Sequence, residues 1–285
     1  MKTLVQKSSQ SVLARIPKPL PRHLLPGIVQ KRKLLLCLDY DGTLSEIAIR
    51  PSAARPVAHA RRILRALAAH PERVAVAIIS GRDLATLRAM LRREREVWMA
   101  GSHGIEIIDP RGRRHSQRLS VKARAEIAKL RAWMKRQVPH SSGFVVEDKR
   151  ATIALHYRNA KPALAAAVRA ALREFIGSRC PSVTILHGKM VDEAIPRDVG
   201  GKGAAVRTIM NLIAQQALTP VYFGDDVTDE DAFRELRDDG VTIMVGGARR
   251  SEAQFRVDSP TKVVATLGKL LAELEPPHKI KSSKK

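Results

Sequence analysis

The sequence predicts an α/β protein built on a doubly wound parallel sheet, and three observations support this fold class. Apolar runs at 34–38, 74–79 and 97–100 alternate with segments of helical spacing, which gives a β-α-β-α-β order. Asp39 and Ser80 directly follow the first two of these runs, as is common at the carboxyl edge of a parallel sheet. The stretch 117–196 then interrupts the alternation with another pattern, which indicates an inserted unit.

The elements before the interruption follow from apolar spacing and from turn residues. The continuous apolar run 34–38 is typical of a strand buried on both faces. Pro56 stands near the first turn of a helix that ends close to residue 70. The run 74–79 predicts a second strand, a helix is expected from about 84 to 93, and 105–108 predicts a further strand.

The interruption itself has an α-β-β-α-β-β pattern. Its predicted elements are helices at about 121–138 and 162–176, and hairpins that pair 143–147 with 151–157 and 183–186 with 190–194. This order packs naturally as two helices on one antiparallel sheet, so an α+β unit is expected.

The α/β alternation then resumes and completes the core. The expected elements are a helix from about 201 to 214, a strand at 221–223, a helix from 228, a strand at 241–245 and a helix near 262–274. We therefore expect a flexible basic arm at 1–30, a core formed by 31–116 and 197–275, an inserted unit at 117–196, and a basic tail at 276–285.

Composition narrows the class of protein. The chain of 285 residues carries a formal net charge of +23, which favours anionic partners without choosing among phosphorylated substrates, nucleic acid and membrane headgroups. No apolar stretch approaches the roughly 20 residues that a membrane span requires. The two cysteines show neither metal-binding spacing nor a disulfide framework. We expect a cytoplasmic monomer without a cleavable signal peptide.

Acidic residues at strand ends predict a metal-dependent site. Asp39 and Asp41 follow the first strand, and alternate residues of an extended segment point the same way. Gly42 permits a turn whose amides can converge on an anion. Other residues at strand ends or a helix start are Ser80, Lys202, Asp225, Asp226 and Asp229. Converging carboxylates repel unless a hard cation joins them, and oxygen ligands suit Mg²⁺.

These segments resemble the motifs of the haloacid dehalogenase (HAD) superfamily of phosphohydrolases. The matching residues are Asp39-Tyr40-Asp41-Gly42-Thr43, Ser80, Lys202 and Gly224-Asp225-Asp226. The resemblance implies a Rossmann-like HAD core in which Asp39 is the nucleophile that becomes an aspartyl phosphate. It implies that Asp41 is the general acid and base.

The same resemblance implies further roles at the core site. Mg²⁺ would be held by Asp39, the Asp41 backbone carbonyl and Asp225, with Asp226 supporting these ligands. The residues implied to bind the phosphoryl oxygens are Thr43, Ser80 and Lys202. Taken alone, the two hydroxyl residues could equally be ordinary caps, and the lysine a solvated residue at a helix start.

Over about residues 33–248 the chain looks like the trehalose-phosphate phosphatases. The additional matching segments are Ser80-Gly81-Arg82, Gly101-Ser102-His103-Gly104, Glu147-Asp148-Lys149, Leu155-His156-Tyr157-Arg158 and Gly224 to Glu230. In that family an inserted cap closes over the active site, and its polar residues hold the sugar hydroxyls. The resemblance implies Mg²⁺-dependent hydrolysis of trehalose 6-phosphate in trehalose biosynthesis.

Carried over residue by residue, the resemblance nominates two sets of substrate contacts. The cap set is Glu147, Lys149, His156, Arg158, Lys189 and Glu193, and the core-rim set is Arg82, Gly101, Ser102 and His103. The chain departs from the family at Ala194-Ile195-Pro196, where a basic residue usually precedes the proline. Arg197 lies beyond that proline, which weakens any role for it.

Two other functions, and two other roles for cap residues, remain open at this point. Another capped HAD phosphatase, such as one that acts on sucrose phosphate, would share the core motifs. Glu147 and Lys149 could form an exposed cross-strand pair, and His156 could be bonded within the cap. A basic nucleic-acid-binding protein would explain the charge, but no recognised motif and few aromatic residues support specific nucleic-acid binding.

Overall fold

The largest feature of the fold is an eight-stranded sheet. The computed structural model describes residues 15–48, 53–92, 96–115, 119–139, 142–188, 190–199, 201–213 and 218–275. The strands, in spatial order, are β1 (Lys18–Pro19), β12 (Phe255–Val257), β11 (Val241–Val245), β10 (Leu218–Gly224), β2 (Lys33–Leu38), β3 (Val74–Ile79), β4 (Trp98–Gly101) and β5 (Glu106–Ile108). All neighbours are parallel except β4 and β5, so the predicted α/β class is confirmed.

Helices cover both faces of this sheet. One face carries α1 (Leu24–Val29), α2 (Ala60–Ala68), α3 (Leu84–Met90) and α8 (Pro260–Ala272), and the other carries α6 (Gly201–Ile213) and α7 (Glu230–Glu235). Strand β2 is buried on both sides because Leu34, Leu36 and Leu38 pack on the first face while Leu35 and Cys37 pack on the second. The apolar run in the sequence therefore reflects a central strand of a three-layer structure.

The register of the central strands brings three chain segments to one edge of the sheet. Leu38 pairs with Phe223 of β10 and with Ile78 of β3. The Asp39 amide then donates to the Phe223 carbonyl at 2.9 Å. The residues that follow β2, β3 and β10 consequently lie side by side, where parallel α/β sheets place their ligand sites.

A second sheet is antiparallel and has four strands. Its spatial order is β6 (Val145–Asp148), β7 (Ile153–His156), β9 (Val191–Pro196) and β8 (Val183–Gly188), and it packs on α4 (Val121–Gln137) and α5 (Pro162–Arg179). Ile153, Leu155 and Ala194 join the apolar cluster beneath the helices. Their alternate neighbours point to the opposite face, which carries His156 and Glu193.

The two chain crossings between the sheets are hydrogen-bonded to each other. The Ser120 amide, at the start of α4, donates to Asp198 at 3.1 Å. The Arg197 amide donates to the Ser182 carbonyl at 2.8 Å, and its Nε donates to the Pro181 carbonyl at 3.1 Å. Arg197 therefore fastens the return crossing to the second sheet. The division into a core and an inserted cap stays a prediction.

The expectation of a flexible arm over 1–30 is wrong for residues 15–30. Lys18 pairs with Phe255 in the sheet, and Leu25 and Val29 of α1 are fully buried in the apolar core. The basic composition of this segment suggested an arm in solvent. The apolar side chains of α1 are nevertheless buried, because they complete one face of the sheet. Residues 1–14 and the predicted tail 276–285 lie outside the described residues.

None of the described helices combines the length and apolarity needed to cross a membrane. This finding is consistent with the hydropathy of the sequence, in which apolar residues are confined to short runs.

We expect Leu25→Ala to lower the free energy of unfolding by about 2–5 kcal/mol, because it leaves a cavity beneath α1. Leu25 is 1% exposed, whereas Ile16, in the same segment, is 63% exposed. Ile16→Ala is the matched control and should change stability by less than about 0.5 kcal/mol. Urea denaturation of both variants tests this, and equal midpoints would show that the segment does not pack on the core.

Candidate active site

The centre of the site is a buried ion pair between Asp39 and Lys202. Asp39 directly follows β2, and Lys202 lies in the first turn of α6. Lys202 Nζ is 2.9 Å from Asp39 Oδ1 and 2.7 Å from Asp229 Oδ1. Burial disfavours the charged ammonium and so lowers the pKa of Lys202. The two carboxylates have the larger effect, and the pKa is raised overall. Burial also raises the pKa of Asp39, and Lys202 opposes that rise.

Asp39, Asp225 and Asp229 form a group that could hold a metal ion. Each offers a carboxylate oxygen, and these oxygens all lie within 4.8 Å of one another. Such an oxygen cluster suits a hard divalent cation. Asp229 already accepts from Lys202, from the Tyr222 hydroxyl at 2.8 Å and from a backbone amide at 2.9 Å. Asp39 and Asp225 are therefore the better placed ligands.

Asp226 has a different environment from the other two acidic residues of its loop. Its Oδ1 accepts from the Val227 amide at 2.8 Å, and its own amide donates to Asp229 Oδ2 at 2.9 Å. The reciprocal bonds cap the short 3₁₀ turn at Val227–Asp229. Asp226 therefore contacts the acidic cluster through its backbone, and its predicted role beside a metal stays a prediction.

Gly42 is required by the close approach of its loop to Asp225. Its φ of +76° lies in the left-handed region, and a Cβ at this position would overlap the Asp225 carboxylate. The glycine of the Asp39-Tyr40-Asp41-Gly42-Thr43 segment thus allows two strand-end loops to meet.

The two predicted phosphate-binding hydroxyls, Thr43 and Ser80, are both buried. Ser80 Oγ accepts from the Arg82 amide at 3.2 Å. Thr43 Oγ1 makes no hydrogen bond within the described part of the chain. A buried hydroxyl without a partner is costly unless a ligand or water satisfies it, so Thr43 is suited to an anion.

The Asp41 side chain is paired with Arg82 and is not one of the three carboxylates of the acidic cluster. Arg82 Nε donates to Asp41 Oδ2 and Arg82 Nη2 donates to Asp41 Oδ1, both at 2.6 Å. Burial opposes the charge of the guanidinium, but the hydrogen bonds to Asp41 outweigh it and raise the pKa of Arg82. The structure therefore places Arg82 on the predicted acid and base.

Two of the predicted core-rim residues, Ser102 and His103, lie in a strained turn directly after β4. Ser102 and His103 have φ values of 49° and 57°, in the left-handed region that non-glycine residues seldom adopt. Both side chains are buried. The Ser102 amide donates to the Arg82 carbonyl at 2.7 Å, and the His103 amide donates to the Ser80 carbonyl at 3.0 Å. The turn thus packs directly against the Ser80-Gly81-Arg82 segment.

Lys149 and Glu193 connect the second sheet to this core turn. Lys149 Nζ donates to Glu193 Oε2 and to the Gly81 carbonyl, both at 2.7 Å. His103 Nε2 lies 3.2 Å from the same Glu193 oxygen, and Thr152 Oγ1 donates to Glu193 Oε1 at 2.6 Å. Burial opposes the Glu193 carboxylate, but His103 and Lys149 outweigh it and hold its pKa well below the usual range.

The remaining cap candidates are more exposed. His156 Nε2 lies 2.9 Å from Glu147 Oε2 across neighbouring strands, and this hydrogen bond lowers the pKa of Glu147. Glu147 and Lys149 therefore do not form the simple exposed cross-strand pair considered above. Arg158 is exposed, and Lys189 lies outside the described residues.

Sequence reasoning placed Asp229 at a strand end but gave it no role, and it missed Tyr222 and Thr152. Asp229 is fully buried and shares Lys202 with Asp39. The D-x-x-D spacing from Asp226 was an available signal for a capped turn that points one carboxylate inward. No local signal identifies Tyr222 or Thr152, because their partners depend on the packing.

Comparisons with known proteins agree with this geometry. The family model described as trehalose-phosphatase matches residues 37–261. A Mycobacterium ulcerans trehalose-phosphate phosphatase is 38% identical over 247 residues, which is 83% of this chain and 61% of that protein. A Mycobacterium tuberculosis protein described as an uncharacterized glycosyl hydrolase is 36% identical over 278 residues, 94% of this chain and 20% of that protein. The chain thus spans less than two thirds of these relatives.

A solved structure shares the fold. The C-terminal domain of the Candida albicans trehalose-6-phosphate phosphatase superposes with a TM-score of 0.74 at 25% identity. The match covers 91% of this chain and 99% of that domain, so it includes both sheets.

We expect Gly42→Ala to destabilise the protein by at least about 1–3 kcal/mol, because alanine is strained at this φ and its methyl group overlaps Asp225. Gly177, inside α5, has open space around the position of a Cβ. Gly177→Ala is the matched control and should leave stability unchanged or raise it by up to about 1 kcal/mol. Chemical denaturation compares the two, and a neutral Gly42→Ala would show that the loop does not approach Asp225 so closely.

Proposed function

This chain belongs to the trehalose-phosphatase family, and from that premise we propose that it hydrolyses trehalose 6-phosphate to trehalose and inorganic phosphate. The observation that carries the proposal is the buried ion pair between Asp39 and Lys202, with Asp225 beside it. All three residues lie inside the range 37–261 that the family model matches. A carboxylate held at the end of a central strand, next to an ammonium, suits a nucleophile that receives a phosphoryl group.

In the first step, an Asp39 carboxylate oxygen attacks the phosphorus atom. The bond between phosphorus and the sugar oxygen breaks, and its electron pair leaves with that oxygen. Asp41, in its protonated form, gives the departing oxygen its proton. The products are trehalose and an aspartyl phosphate on Asp39.

In the second step, water hydrolyses the aspartyl phosphate. The water gives a proton to the Asp41 carboxylate while its oxygen attacks phosphorus. The bond between phosphorus and the Asp39 oxygen breaks, and its electron pair restores the Asp39 carboxylate. Inorganic phosphate leaves, and Asp41 is protonated for the next cycle.

Lys202, Thr43 and Ser80 stabilise the phosphoryl oxygens in this proposal. Lys202 is already fixed by two carboxylates, so it can provide positive charge without reorganisation. The Thr43 hydroxyl, which has no hydrogen-bond partner among the described residues, can donate to one oxygen. Ser80 is buried and directly follows β3, at the same edge of the sheet as Asp39.

The oxygen-only donor set supports Mg²⁺ as the cation. Asp39, Asp225 and the Asp41 backbone carbonyl would hold it, with Asp226 in support. When bound, Mg²⁺ supplies charge that favours ionised Asp39 and neutralises the phosphoryl group.

We assign sugar recognition to the second sheet, which would act as an inserted cap. Its uncovered face carries polar residues, and paired donors and acceptors suit a disaccharide with many hydroxyls. The proposed contacts are Glu147, Lys149, His156, Arg158, Lys189 and Glu193, with Gly101, Ser102 and His103 shaping the core rim. That the enzyme is a cytoplasmic monomer stays a prediction.

We expect purified protein to release phosphate from trehalose 6-phosphate in the presence of Mg²⁺, and not from sucrose 6-phosphate. EDTA should abolish the release. Asp39→Asn should reduce it to background, because the amide cannot form the aspartyl phosphate. A malachite-green phosphate assay over a panel of sugar phosphates measures these rates. Release from a different ester alone would keep the core chemistry and reject the substrate.

We expect Glu147→Gln and His156→Asn to raise the KM for trehalose 6-phosphate more than that for p-nitrophenyl phosphate. The physical reason is that each removes one partner of a polar pair on the proposed sugar-facing surface. Steady-state kinetics on both substrates checks this. Equal losses on the sugar ester and the aryl ester would contradict a role in sugar recognition.

A further inference from the structure

Arg82 was expected to contact substrate, but its surroundings suggest another role. Its side chain is only 12% exposed, and its guanidinium lies 5.6 Å from the centre of the Tyr40 ring. Two of its nitrogens donate to the two Asp41 oxygens, both at 2.6 Å. A planar guanidinium bound at both oxygens fixes the rotation of the carboxyl group as well as its position.

The backbone that carries Arg82 is held at three consecutive carbonyls. The Ser80 carbonyl accepts from the His103 amide at 3.0 Å, and the Arg82 carbonyl accepts from the Ser102 amide at 2.7 Å. Between them, the Gly81 carbonyl accepts from Lys149 Nζ at 2.7 Å. Two of these donors come from the core turn, and the third, Lys149, comes from the turn that joins β6 to β7 in the second sheet.

Further contacts around His103 support the hydrogen bond between Lys149 and the Gly81 carbonyl. Glu193 binds Lys149 and lies 3.2 Å from His103 Nε2. A Cβ on Gly81 would approach the His103 ring to 2.7 Å, so the segment and the ring are packed against each other. Lys149 and Glu193 thus hold the Ser80-Gly81-Arg82 segment from one side while Arg82 holds Asp41 on the other.

We propose that Arg82 is a positioning residue for Asp41, and that the second sheet controls this positioning by holding the Ser80-Gly81-Arg82 segment through Lys149. The proposal rests on the proposed phosphatase function, because it concerns the group that protonates the leaving oxygen. It differs from direct recognition, in which Arg82 or Lys149 acts only on the sugar or the phosphate.

The consequence is a link between cap contact and chemistry. An Asp41 carboxyl that rotates freely spends little time aimed at the leaving oxygen, and misplacement of a catalytic group is costly to rate. Loss of the Lys149 contact would loosen the Gly81 carbonyl and, through it, the Arg82 side chain. Substrates that have no sugar should therefore still depend on Lys149.

The first test uses Arg82→Lys, which keeps the positive charge but loses the two-point contact. The measurement is kcat/KM for a series of aryl phosphates whose phenols span a range of pKa. Protonation by Asp41 matters most for phenols of high pKa, so we expect the plot of log kcat/KM against phenol pKa to become steeper. The loss should be about tenfold or more for poor leaving groups and under about threefold for p-nitrophenyl phosphate.

The slope of that plot does not depend on the fraction of folded protein, because inactive molecules lower every rate by the same factor. Arg62→Lys, an exposed change on α2, is the matched control and should keep the wild-type slope. An unchanged slope with a raised KM would instead assign Arg82 to substrate binding and overturn the proposal. An unchanged slope with a uniform loss would reduce Arg82 to a structural role and also overturn it.

The second test asks whether Lys149 acts through Arg82. We expect Lys149→Met to steepen the same plot, and the double variant with Arg82→Lys to be little worse than Arg82→Lys alone. Lys122→Met, an exposed change on α4, is the control. Additive effects, or a Lys149→Met slope equal to that of wild type, would overturn the role of the second sheet.

Failure of this proposal can be told apart from failure of the proposed function. Wild-type protein that hydrolyses aryl phosphates but not trehalose 6-phosphate would reject the substrate while leaving the slope test in force. Wild-type protein that hydrolyses trehalose 6-phosphate, with an Arg82→Lys slope that is unchanged, would reject only the positioning role. Release from neither ester would overturn both.

Discussion

The site depends first on a single buried ammonium. Lys202 of α6 joins Asp39, at the end of β2, to Asp229, in the turn after β10. Removing one partner from a buried ion pair typically costs about 3–5 kcal/mol, since it strands the remaining charge. The same contacts therefore hold three elements together and place the candidate nucleophile. Tyr222, from within β10, adds a further hydrogen bond to Asp229 and ties the arrangement to the sheet. A site built in this way is ordered before any ligand arrives.

The two sheets keep separate apolar cores, and polar groups mediate the contacts described between them. The eight-stranded sheet has an apolar cluster on each face, and the second sheet packs its own cluster against α4 and α5. Lys149, Glu193 and His103 meet between them. Hydrogen bonds of this kind can be exchanged for bonds to water or to a hydroxylated ligand at modest net cost. This arrangement would allow the second sheet to move without exposing any of the three apolar clusters.

Under the proposed function, the Ser80-Gly81-Arg82 segment links recognition with chemistry. Its serine would bind the phosphoryl group, its glycine carbonyl accepts a hydrogen bond from Lys149, and its arginine binds Asp41. A sugar that competes for Lys149 or Glu193 would alter the hold on this segment. Binding energy from the remote part of a substrate could then be used to set the geometry of proton transfer, which is a general route to specificity.

The sequence by itself determined the α/β class and the strand-end location of Asp39, Ser80 and Asp225, together with the helix-start location of Lys202. These are local properties: an apolar run predicts a buried strand, and the residues that follow it must lie at one edge of a parallel sheet. Only the tertiary structure decided the partners. It paired Asp229 rather than Asp226 with Lys202, Arg82 with Asp41, and Glu193 with His103, and it packed α1 into the core. Partner choice across such separations depends on strand register and on the direction of each side chain, and neither is encoded in the local pattern.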